Sequence, residues 1–346
     1  MAAAGAAKNA PGLCLAAALA VPAAGLGALA PVVGGPVCGL LLGAVAGAFL
    51  RVRHPAAHAR CLPGLATAGK TVLQAAIVVF GLTLPLGRVL DVGARSLPVL
   101  LTTLGVALAG AWWLGGRLRL HPETRVLIGA GTGICGASAI AAVSSVIRPA
   151  RERIAYALGT IFTFNLVAVL SYPAVGRLLG LSEQGFGLWA GTAVNDTSSV
   201  VAAASAFGSG AVTLAVIVKL GRTLMIVPLC LALHLWRRAR HPGGLGGRAP
   251  EGRRGAGRAL LGVFPPFILC FLAASAFAAA DLLPGGREPA ATLSSWLITM
   301  ALAGIGAGLD PGAVRAAGPR PLVFGGALGA AVALSALAVQ ALTGQT

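Results

Sequence analysis

Between Phe186 and Phe207 an otherwise apolar stretch holds Asn195, Asp196, Thr197, Ser198 and Ser199 in a row at its centre. Asp196 is the only one of the nine acidic residues that falls inside an apolar segment. A carboxylate in hydrocarbon is costly, so it normally faces protein or a water-filled cavity. Three cations are also intramembrane by sequence: Lys70, Lys219 and Arg222. Lys219 and Arg222 are three residues apart and share a helix face. A second polar interruption, Gly131-Thr132-Gly133-Ile134-Cys135-Gly136 followed by Ser138, sits in another apolar segment, and Asn165 lies in a third.

The chemistry open to this set is the handling of an anion. Three cations against one anion leave a formal charge of +2, which a dianion such as sulfate would neutralise. A helix broken at Gly131–Gly136 would free backbone N–H groups for the anion oxygens. The hydroxyls of Thr132, Ser138, Thr197, Ser198 and Ser199 could add hydrogen bonds. Asp196 could pair with a cation, or take up a proton or sodium ion and couple movement to a gradient. The structural alternatives are plain. Asp196 could simply lock helices through Lys219 and Arg222, and Lys70, about one turn from its segment's start, could snorkel to the interface.

Other chemistries fit less well. The Gly131–Gly136 run matches GxGxxG literally, but no βαβ unit surrounds it, so dinucleotide binding is not expected. Close packing of helices through small residues is the second reading of that run. Cys135 has no nearby His, an HExxH pattern is absent from the sequence, and no soluble nucleotide-binding domain accompanies the apolar segments. Neither an enzyme, a metal site, a cofactor nor ATP-driven pumping is expected. The six cysteines show no CxxC spacing and suggest no disulfide framework.

The elements that must position these residues are membrane helices. Of the 346 residues, 57% are hydrophobic and only 10% charged, far from a soluble composition. Stretches of about 20 apolar residues recur, the length that spans a ~30 Å core. The expected fold is an all-α polytopic membrane protein, a single domain of about 11 transmembrane helices with one or two of them broken. The segments fall at about 12–30, 32–50, 65–84, 97–114, 125–147, 154–172, 186–207, 212–236, 259–280, 292–309 and 321–342. Residues 237–258 form a basic, glycine-rich loop.

The net charge of +17 reads as topology signal rather than nucleic-acid binding, because the basic residues punctuate loops. Eleven crossings put 17 Lys and Arg on the N-terminal side and 6 on the other. That places the N-terminus in the cytoplasm and the C-terminus outside. Charge parity leaves one choice open: the fifth and seventh segments are both full crossings or both re-entrant. Residues 73–99 and 298–324 also echo each other, matching at Gly81/Gly306, Leu84/Leu309, Gly87/Gly312 and Arg95/Arg320. The copies would run in opposite directions, as inverted repeats of secondary transporters do.

At 129–147 (GAGTGICGASAIAAVSSVI), 186–208 (FGLWAGTAVNDTSSVVAAASAFG) and 218–229 (VKLGRTLMIVPL) the chain resembles the sulfate-exporter family of bacterial multi-pass inner-membrane proteins. The resemblance runs from about residue 30 to 340. It implies distant kinship with the bile-acid-symporter and Na⁺/H⁺-antiporter type of fold, in which crossed broken helices form the site. The chain departs from that pattern in three places. Asn195 stands where a His before the acid is expected, Gln74 where an Arg is expected, and Ser144 where an acid is expected. The expectation is a bacterial secondary transporter of a small anion in the lipid bilayer, with sulfate export leading and a homo-oligomer compatible with it. Gly131, Thr132, Gly133, Cys135, Gly136, Ser138, Asn195, Asp196, Thr197, Ser198, Lys219 and Arg222 would form the site, with Lys70 and Asn165 beside it. The alternatives are a passive anion channel and a non-transporting membrane scaffold.

Overall fold

In the computed structural model, residues 2–29, 34–240, 266–280, 287–309 and 319–345 are described. All regular structure among them is helical. The order is α1 (Ala2–Leu29), α2 (Gly34–Arg53), α3 (Pro55–Thr67), a π-helical turn (Ala68–Val72), α4 (Leu73–Gly81), α5 (Leu86–Arg117), α6 (Pro122–Gly133) and α7 (Ala137–Ile147). Next come α8 (Arg151–Leu178), α9 (Glu183–Ala193), α10 (Thr197–Phe207), α11 (Ser209–Leu224), α12 (Ile226–Arg240), α13 (Pro266–Ala279), α14 (Glu288–Ala307) and α15 (Pro319–Thr343). Among the described residues, eight helical stretches are long and apolar enough to cross a membrane. The protein is an all-helical polytopic membrane protein. Most of the basic loop, residues 241–258, lies outside the described residues.

Two segments are interrupted where the sequence turns polar or glycine-rich. Between α6 and α7, Gly136 takes φ +63° and ψ −125°, a conformation that L side chains rarely adopt. Between α9 and α10, Val194 and Asp196 are extended, with ψ 135° and 145°. Each half-helix has 11 or 12 residues, about 17 Å of rise and half a bilayer.

Contacts along these halves fix their direction. Gly115, Gly129 and Gly133 show α5 and α6 running antiparallel, with Gly115 against Arg125, Gly129 against Ala111 and Gly133 against Ala107. At the start of α8, Arg153 is ion-paired with Glu123 at the start of α6, and further in Ile161 packs on Gly131. So α8 begins on the face where α6 enters. Only residues 148–150 join α7 to α8, so α7 returns to that face. At the opposite face Phe186 near the start of α9 stacks on Phe207 at the end of α10, with ring centroids 4.0 Å apart. There too Arg177, ending α8, donates to the Ala206 carbonyl at 2.6 Å, and the Gly210 N–H donates to Glu183 Oε2 at 2.7 Å. Both broken segments are therefore re-entrant hairpins, entering from opposite faces with the crossing helix α8 between them. Of the two arrangements left open by charge parity, these contacts are those of re-entrant hairpins.

The hairpin topology is open to direct labelling. In a chain lacking its six native cysteines, Arg119→Cys and Arg148→Cys are expected to react with an impermeant thiol reagent from one face. Leu179→Cys and Ser209→Cys should react from the other. Labelling of positions 119 and 148 from opposite faces would mean that α6 and α7 cross the bilayer.

The remaining helices form a bundle packed through small residues. Gly39, Gly43 and Gly47 of α2 lie on Thr299, Ala303 and Ala307 of α14, so these two helices run parallel. Gly12 of α1 and Gly64 of α3 meet backbone to backbone. With little apolar driving force between helices in lipid, such small-residue faces allow the close approach that van der Waals packing requires. Because α14 parallels α2, it runs opposite to α3 and α4, as the sequence echo requires. Residues 310–318 of the second copy lie outside the described residues. Lys70 is exposed in the π-helical turn and makes no hydrogen bond or ion pair with the hairpins.

Candidate functional site

The tips of the two hairpins meet. A Cβ built on Gly136 would lie 3.5 Å from the Asp196 Cβ and 3.6 Å from the Asn195 carbonyl carbon. Behind this junction stands α11, whose Lys219 and Arg222 are both 0% exposed. Lys219 Nζ donates to the carbonyls of Ile134 and Val194, each at 2.9 Å. Arg222 donates through Nε to the Gly133 carbonyl at 2.7 Å, through Nη1 to that of Thr192 and through Nη2 to that of Thr132.

These acceptors share one cause. The last carbonyls of a helix have no partner within it, and the helix end carries about half a negative charge. α6 and α9 both end at the tips, so two such ends converge in a place where water cannot solvate them. Two cations on one face of α11 satisfy both. The pair is brought close by Gly187 and Gly191 of α9. A Cβ on Gly187 would come within 2.6 Å of the Ala211 carbonyl, and one on Gly191 within 2.9 Å of Val218.

The other halves begin at the same junction with helix N-termini. Asp196 caps α10, accepting the Ser198 N–H at 3.0 Å and the Ser198 hydroxyl. Gly136 gives α7 no side-chain cap. Asn165 Oδ1 accepts the Asp196 N–H at 3.3 Å.

The structure thus brings together Thr132, Gly133, Gly136, Asn165, Asn195, Asp196, Ser198, Lys219 and Arg222. Gly131 and Cys135 are buried beside them, Gly131 packing on Ile140 and Ile161. Thr132 takes part through its carbonyl, and Thr197 and Ser198 are half-buried. Ser138 is exposed, and Lys70 belongs to the other bundle. Two expectations are revised. Asp196 makes no ion pair with Lys219 or Arg222, whereas Arg95 pairs with Asp91 and Arg153 with Glu123. The two cations are engaged by backbone carbonyls rather than standing open as first ligands of an anion. Among the described residues no cluster of His, Cys, Asp and Glu could hold a metal ion.

Sequence reasoning missed the carbonyls of Thr192 and Val194, for which Gly187 and Gly191 were the available signal. It also missed a cleft of about 360 Å³ between α8, α15 and the second hairpin, which reaches Val194 and Asn195 at the tip. Tyr172 and Trp189 stack in its wall at 4.5 Å, and the Trp189 indole N–H donates to the Ala333 carbonyl at 3.0 Å.

Fold and junction define a class: a polytopic membrane protein whose two opposed re-entrant hairpins meet at a cationic crossing helix. The chain belongs to the family described as Conserved hypothetical protein 698, whose family model matches residues 11–325. It is 38% identical over 341 residues to a UPF0324 membrane protein of Streptococcus pyogenes serotype M3, covering 96% of this chain and 97% of that one. A UPF0324 membrane protein of Streptococcus agalactiae serotype V is 34% identical over 342 residues, covering 96% and 97%. One from Streptococcus pneumoniae is 37% identical over 327 residues, covering 92% and 93%. No solved structure matches the chain.

Proposed function

We propose that the protein is a secondary transporter of a small anion, for which the sequence puts sulfate export first, with the hairpin junction as the site. The observation that carries this reading is the meeting of two broken helices from opposite faces on Lys219 and Arg222. Non-helical backbone at membrane depth is tolerated where it is buried in protein or lines a cavity, and transporters use it for ligands. Two cations facing two half-negative helix ends leave a net positive field, which draws an anion to the junction. Asp196, half-buried and in no ion pair, is the group that would exchange a proton or sodium ion during the anion's passage. An enzyme is not part of this reading, nor is a cofactor.

We also infer that the protein lies in the bacterial inner membrane with its N-terminus cytoplasmic and its C-terminus outside. With both hairpins re-entrant, Arg148, Arg151 and Arg153 join the basic side and Arg177 leaves it. The division of Lys and Arg between faces moves from 17 against 6 to 19 against 4, which supports that orientation.

The test is labelled-sulfate flux in proteoliposomes, with and without a proton or sodium gradient, in the parent and in Asp196→Asn. Asn caps a helix as well as Asp does, so this variant keeps the α10 terminus while losing the charge. Gradient-dependent flux in the parent, reduced at least tenfold in Asp196→Asn, is expected. Saturable flux that ignores both gradients would point to a uniporter, and non-saturating flux to a channel. Absence of flux for any small anion would favour a scaffold.

A further inference from the structure

We propose that the cleft between α8, α15 and the second hairpin holds the apolar body of an organic acid that carries a hydroxyl beside its carboxylate. The anion taken at the junction is then a small 2-hydroxycarboxylate rather than bare sulfate. This deepens the reading of the junction as an anion site and rests on it.

The first support is an unmet pair of groups. Asn195 Oδ1 and Asn165 Nδ2 are both buried without a hydrogen-bond partner, and the two residues are only 5% and 4% exposed. Both belong to the junction, Asn195 at the hairpin tip and Asn165 bonded to the next amide. Buried polar groups are nearly always satisfied, so an orphan acceptor and an orphan donor together call for a ligand or water offering both roles. Sulfate offers acceptors only. It could take the Asn165 N–H but would present a lone pair to Asn195 Oδ1. A 2-hydroxycarboxylate donates its hydroxyl to Asn195 and accepts from Asn165.

The second support is the shape beyond Asn195. A volume of 360 Å³ lies within the range of about 300–1,000 Å³ typical of organic-ligand pockets, and it far exceeds what one sulfate fills. Its walls are Phe164 and the stacked Tyr172–Trp189 pair, and α15 contributes Gly326, Gly329 and Ala330 as a flat face. An aromatic or branched body suits such walls. The charge also agrees, because Val194 lines the cleft while its carbonyl holds Lys219 Nζ at 2.9 Å. An anionic head at this end sits one residue from the buried cation.

The experiment is calorimetric titration of the full chain in nanodiscs with mandelate, phenylacetate and sulfate. Trp189 fluorescence, in a chain whose other four tryptophans are Phe, reports occupancy of the cleft. Mandelate is expected to bind about tenfold more tightly than phenylacetate, the scale of one hydrogen bond to a buried partner, and more tightly than sulfate. Asn195→Ala should bring the mandelate-to-phenylacetate ratio near one. Ala330→Leu, at an exposed edge of the cleft, should weaken both organic acids while leaving sulfate unchanged. Equal binding of mandelate and phenylacetate, or tightest binding of sulfate, would overturn this inference and leave the anion site standing. Failure of all three to bind, with no anion flux, would remove both.

Discussion

Arg222→Ala is expected to destabilise the protein by about 3–5 kcal/mol, enough to lower its melting temperature in detergent by several degrees. The guanidinium holds the carbonyls of Thr132, Gly133 and Thr192, and it is wholly buried. Alanine would leave three helix-terminal carbonyls facing one another without a donor, each costing about 1–3 kcal/mol unless water enters. Arg222→Lys keeps the charge but replaces a planar fork of donors by a single ammonium, so an intermediate loss is expected. Measured in one detergent, the order parent, Lys, Ala should hold. An alanine variant that melts like the parent would show that the carbonyls find other partners. It would also break the argument that α11 welds the two hairpins.

The second large effect belongs to the small-residue bundle. A Cβ on Gly43 would stand 2.2 Å from the Ala303 carbonyl oxygen and 3.0 Å from the Ala307 nitrogen, both of them backbone of α14. No rotamer can relieve that clash, so Gly43→Ala must push α2 and α14 apart along their whole seam. A loss of about 2–3 kcal/mol is expected, at the high end of overpacking costs. Gly105→Ala on α5 is the control, since a Cβ there meets nothing within 4 Å. It should be neutral or slightly stabilising through helix propensity. Equal melting temperatures for the two variants would mean the seam is looser than its geometry.

Much of this architecture is legible in the sequence, for identifiable reasons. Apolar stretches separated by arginines announce membrane helices, because hydrocarbon tolerates little else. The two breaks are marked by residues that backbone needs where it leaves a helix: Gly136 for a positive φ, and Asp196 to cap the half-helix after it. The shared face of Lys219 and Arg222 comes from helical spacing alone. The return of each hairpin does not show, because two half-helices of about 17 Å have the summed length and hydropathy of one crossing. Nor does the partner of each buried cation. Side-chain inventories count Asp196 as the obvious counter-charge, whereas the groups the cations hold are carbonyls, which every residue carries. Asn165 and Asn195 are visible as polar residues in apolar runs. That one exposes a donor and the other an acceptor depends on how the tips dock.

The welding of both hairpins by α11 also sets an order for making the protein. The first hairpin's tip carbonyl at Ile134 is satisfied by a lysine 85 residues later, and the second's at Val194 by the same lysine 25 residues later. At a synthesis rate of about 5–20 residues per second, the first hairpin waits roughly 4–17 s for its partner. During that time the first hairpin's tip carbonyl lacks the donor that holds it in the finished protein.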